Sequence, residues 1–104
     1  MAAVVTETGR SITTNRVKTG GGTEPNYVAW GTGAGTAVVG NTALFTEAAE
    51  TRIAGTSTIV TTTSTNDTYQ VVGTMTCAGA GKTITNAGLF DAVTAGNLCV
   101  LGNF

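Results

Sequence analysis

From Thr56 onward, apolar and polar residues alternate in short runs separated by turn residues. TSTIVTTTS (56–64) is a β-branched run, and Asn66-Asp67 supplies turn chemistry behind it. YQVVGTMTC (69–77) places Tyr69, Val71, Gly73, Met75 and Cys77 on one side and Gln70, Val72, Thr74 and Thr76 on the other. The first set is the more apolar, so the period of two predicts that it faces a core. KTITNAGLF (82–90) and LCVLGNF (98–104) read as two further strands, after turns at AGAG (78–81) and DAVTAGN (91–97). These last three runs predict an antiparallel meander with Tyr69, Val71, Met75, Ile84, Leu89, Leu98 and Val100 in its core. Upstream, Tyr27, Ala29 and Gly31 alternate with Val28, Trp30 and Thr32 as a strand, which Gly31, Gly33 and Gly35 then break into a loop.

Two stretches break this pattern. NTALFTEAAETRIAG (41–55) carries Leu44, Phe45, Ala48, Ala49 and Ile53, with Glu47, Glu50 and Arg52 between them. It predicts one short helix closed by Gly55. Residues 1–24 are sparsely apolar and end in Gly20-Gly21-Gly22, just before Pro25. They read as an extended N-terminal arm and linker, with an ordinary first strand followed by a loose loop as the alternative. The body is then residues 25–104. The fold class expected is all-β: a small antiparallel β-sandwich, jelly-roll-like, with one short helix and the N-terminal arm.

The chain has 104 residues, which suits one domain with a modest core. Charged residues make up 11%, against about 25% in an average soluble protein, and the net charge is −1. No basic footprint for nucleic acid or an anionic membrane is present, and neither partner is expected. A surface so poor in charge is weakly protected from association, which favours a protein partly covered by its neighbours. Neither a secretory leader nor a membrane span is expected from the apolar runs. Cys77 and Cys99 are accordingly read as reduced, buried small hydrophobes.

Several stretches touch on chemistry without completing it. Gly81-Lys82-Thr83 resembles the tail of a phosphate-binding loop, but Thr76 stands where the first glycine should be, and a β-branched run follows instead of a helix. Gly31 to Thr36 has glycines at every second residue, which is not dinucleotide-loop spacing. The chain has no histidine, so the commonest general base and metal ligand is missing, and two separated cysteines make no zinc site. Glu47 and Glu50 fall at i, i+3 spacing, where a solvated helix face is a plainer reading than a catalytic pair. Asp91 reads as a turn residue, and Asn66-Asp67-Thr68 as an accidental glycosylation match. No catalytic, cofactor-binding or metal-binding residue is assigned, no cofactor is expected, and the chain is not expected to be an enzyme.

Residues 27–104 resemble small structural proteins encoded among tailed-phage virion genes. The motifs that carry this are the W-G-T-G loop at Trp30 to Gly33, T-A-L-x-x-E at Thr42 to Glu47, and I-T-x-A-G-L-F-D at Ile84 to Asp91. The resemblance implies a β-sandwich accessory protein of a phage particle. The leading expectation is a capsid cement or decoration protein, made in the host cytoplasm and carried on the capsid exterior. Its partners would be the major capsid protein and other copies of itself. Two other readings stand beside it: a tail, neck or fibre component, and a non-virion carbohydrate- or protein-binding β module.

Overall fold

Among the described residues the chain forms seven strands and one helix. The structure, a computed structural model, describes residues 2–104. In chain order the elements are β1 (Ala2–Val5), α1 (Glu7–Thr19), β2 (Tyr27–Gly31), β3 (Ile53–Ala54), β4 (Thr56–Val60), β5 (Thr68–Val72), β6 (Asn86–Phe90) and β7 (Leu98–Asn103). Five strands make one antiparallel sheet in the order β1-β7-β6-β2-β3, and β4-β5 make a second, two-stranded sheet. The protein is thus a small, mostly β globule with two antiparallel sheets and one short helix, the class expected of a small β-sandwich. This strand order does not establish a jelly roll.

The core lies on one face of the five-stranded sheet. Registered pairs bring Val4, Leu101, Gly88 and Ala29 into one row across it, and Leu98, Phe90 and Tyr27 into another. The loop after β2 covers these rows with Ala37, Leu44 and Phe45. Gly88 is required here, because a Cβ would lie 2.6 Å from Val100 O and 2.9 Å from a Leu44 methyl. Asn86 is fully buried and clamps the covering loop: Phe45 N–H donates to its Oδ1, and its Nδ2 donates to Phe45 O, each at 3.1 Å. A buried amide is tolerated because its donors and acceptor are matched.

The structure corrects the sequence reading in three places. The first is the expected arm, which is β1 followed by the helix α1. β1 pairs with β7 along its whole length, closer to the ordinary first strand held as the alternative. Thr6 caps α1 by accepting from Gly9 N–H at 3.0 Å, and Gly20 ends it in a left-handed conformation, φ 69°. Gly20 therefore belongs to the helix stop, ahead of the short link to β2. The second is the helix expected at 41–55. Thr46 there has a positive φ, and its neighbours bond to other segments: Gly33 N–H to Phe45 O, and Ala48 N–H to Trp30 O.

The third is the core. Only Leu98 of the expected residues is buried there; Leu89 and Val100 lie half-buried on the opposite sheet face, and Tyr69 is exposed. Val71, Met75 and Ile84 are half-buried outside the core cluster. The cause is topological. β5 pairs with β4 instead of joining a meander with β6, and it ends at Val72, so the alternation through Cys77 does not continue as a strand.

A candidate docking cleft between helix and ribbon

The two elements least attached to the core face each other. α1 runs from the end of β1, and its first turn rests on the bulged end of β7, where Gly9 meets Cys99 O so closely that a Cβ would lie 2.2 Å from it. Beyond that turn the helix has only Ile12 and Val17 as large apolar residues, and Val17 is 83% exposed. On the other side, the chain passes from β3 to β4 through Gly55, and β4 and β5 project as a ribbon. Ile59 and Tyr69 are registered opposite one another on one ribbon face, and Ile59 is 69% exposed.

Between them lies an open cleft of about 920 Å³, with Ile12, Arg16 and Val17 on the helix wall and Glu24, Ile59 and Tyr69 opposite. Glu24 accepts from Ser57 Oγ at 2.8 Å, and the Tyr69 hydroxyl donates to Pro25 O at 3.3 Å, which ties the ribbon base to the start of β2. Partial desolvation of its hydroxyl, followed by the charge of Glu24, pushes the Tyr69 phenol up to about 12. Arg16 donates to Gly22 O at 3.1 Å. Among the described residues the ion pairs are Arg52–Glu47 and Lys82–Glu50, so Arg16 and Glu24 face the cleft without ionic partners in their own chain. The cleft offers apolar walls and two opposite charges.

The ribbon tip is well organised. Asp67 accepts from the N–H groups of Thr62, Thr63 and Ser64 at 2.8–3.0 Å. These donors hold its carboxyl well below the usual carboxylate range.

The motifs weighed in the sequence do not converge. Lys82 sits in a loop and pairs with Glu50 at 2.6 Å. Glu50 also accepts from Ala78 N–H at 2.8 Å and Trp30 Nε1 at 3.2 Å. Led by Lys82, these donors lower its carboxyl from 4.5 to about 2. Glu47 turns away to Arg52, whose guanidinium lies 3.5 Å from the centroid of the Phe90 ring and donates to Ala92 O and Ala95 O. Asp91 accepts from Asn97 N–H at 2.7 Å and closes the β6–β7 turn. Cys77 and Cys99 are both free thiols; Cys99 is buried, which pushes its thiol pKa up. Among the described residues no cluster of His, Cys, Asp and Glu could hold a metal, and no helix is long and apolar enough to cross a membrane.

No family model matches the chain, and the searches of curated proteins and of solved structures also returned no match.

Proposed function

We propose that this chain is a structural protein of a tailed-phage particle, a capsid cement or decoration protein that binds the outer shell beside the major capsid protein and stabilises it. The observation that carries this reading is the free outer edge of β1, the last strand of the five-stranded sheet. Thr6 N–H donates inward to Cys99 O. Alternation along an antiparallel pair then points the N–H groups of Ala3 and Val5 outward. Such an edge accepts a strand from a neighbouring chain. Val5 is also 46% exposed, so edge pairing there buries apolar surface as well. The thinly charged composition and the virion-gene resemblance support the same reading.

A cement protein that binds only the assembled shell stabilises it by mass action. Attachment through backbone and apolar surface survives ~1 M salt, where the Debye length is about 3 Å. The test is a DNA-release melt on particles with and without the protein, at low and high salt. Decorated particles should release DNA at the higher temperature in both. Ala3→Pro removes one outward N–H and keeps the inward ladder to β7, so it should fold normally and bind particles poorly. Identical melting curves would remove the cement reading. A copy number in small multiples of three or six per particle would move the protein to the tail.

A further inference from the structure

We propose that the cleft between α1 and the β4–β5 ribbon is the interface of a two-fold homodimer, each copy placing its ribbon face against the other's cleft. This does not rest on the particle reading; it follows from what the two walls lack. An isolated 13-residue helix is marginal in water, and so is a lone two-stranded ribbon. Here each has one loosely held side, and both present apolar residues to the same space: Ile12 and Val17 from the helix, Ile59 and Tyr69 from the ribbon. The exposed apolar side chains of the two walls therefore look at each other across a gap that neither fills.

Charge selects a second copy as the occupant. The cleft holds one cation, Arg16, and one anion, Glu24, on facing walls, and among the described residues neither has an ion-pair partner. A two-fold axis through the cleft sets Arg16 of each copy against Glu24 of the other, giving two symmetric opposite-charge contacts. An isologous contact is self-complementary in this sense. β4 and β5 carry no charged side chain of their own, so bringing two ribbons together opposes no like charges.

The size also fits. α1 is about 20 Å long at 1.5 Å per residue. The helix, the cleft and the ribbon together span about 30 Å, taking ~10 Å for each of the three layers. That footprint is about 600 Å² per copy and about 1,200 Å² in all, the lower bound for a specific interface. An interface at that lower bound is expected to be weak, so that dimerisation depends on concentration.

The experiment is sedimentation equilibrium on the purified chain from about 1 to 200 µM. Wild type should pass from monomer to dimer. Ile59→Asp and Val17→Asp change exposed side chains, should leave the circular dichroism spectrum unchanged, and should weaken dimerisation at least tenfold. Arg16→Glu and Glu24→Arg should each weaken it several-fold. An equimolar mixture of those two variants should dimerise again, because a heterodimer restores two opposite-charge contacts across the axis. Wild type that stays monomeric throughout overturns the proposal. So does an oligomer indifferent to Ile59→Asp, or a mixture no tighter than its parent variants.

Discussion

Thr6 joins the first strand to the helix and the helix to the sheet, so its hydroxyl is a sensitive point in the fold. It is completely buried. Its Oγ1 accepts from Gly9 N–H at 3.0 Å and donates to Leu98 O. Thr6→Ala removes a helix cap, costing about 1 kcal/mol, and strands a buried acceptor, costing about 1–3 kcal/mol more. The sum, about 2–4 kcal/mol, is a large share of the ~5–15 kcal/mol that holds a domain together. It corresponds to a fall in Tm on the order of 10–25 °C. Thr6→Ser keeps both hydrogen bonds and loses one methyl group, so it should cost about 1 kcal/mol. Thr6→Val keeps the shape and loses both bonds, so it should fall between Ser and Ala. Urea unfolding with unchanged m-values measures all three. A Val variant at least as stable as the Ser variant would refute the reasoning, since packing and not the hydroxyl would then dominate.

Gly9 offers an opposed pair of effects. Helix propensity favours Gly9→Ala by about 1 kcal/mol, but the new Cβ would lie 2.2 Å from Cys99 O, so the variant should be less stable than wild type in urea. A gain in stability would show that α1 lifts off β7 freely. Glu50 sets an acid limit: its folded pKa of about 2 lies below the ordinary 4.5, so its stabilising effect is complete above 4.5 and is lost as pH falls toward 2. Glu50→Gln should therefore show a shallower loss of stability than wild type between pH 4.5 and 2, and equal slopes would mean that the Lys82 contact is not kept in solution.

Strand positions were legible because their residues and their pairing agree. β2, β4, β6 and β7 all lie within runs read as strands, and the β6–β7 hairpin forms around the turn expected at 91–97. The helix expected at 41–55 and the unexpected helix at 7–19 depart from the sequence reading for opposite reasons. Residues 41–55 hold four Ala, two Glu and Leu44, so their local propensity is helical. Their backbone is instead engaged by β2 and by the buried Asn86, and these non-local bonds outweigh a few tenths of a kcal/mol per residue of propensity. Residues 7–19 hold Thr, Asn, Val, Ile and Gly and show no apolar stripe, so periodicity is silent. The signals were at the ends: Thr6 as cap, Glu7 in the first turn, Arg16 and Lys18 in the last, and Gly20 just beyond.

The same failure explains why the cleft was hidden. Alternation in 69–77 says only that one side of a strand is apolar, not whether that side meets a core or an open space. The outcome turns on Gly55, where β3 leaves β2 and β4 begins its pairing with β5. A Cβ at Gly55 would lie 2.5 Å from a Val71 methyl and 3.0 Å from Val72 O, so a glycine is needed for the ribbon to close there. One residue without a side chain thus carries the apolar face of Ile59 and Tyr69 away from the core and toward α1. Composition points the same way: a chain with 11% charged residues has little with which to cover such a face. In the proposed dimer a second copy of this chain covers that face, with Arg16 and Glu24 opposed across the two-fold axis.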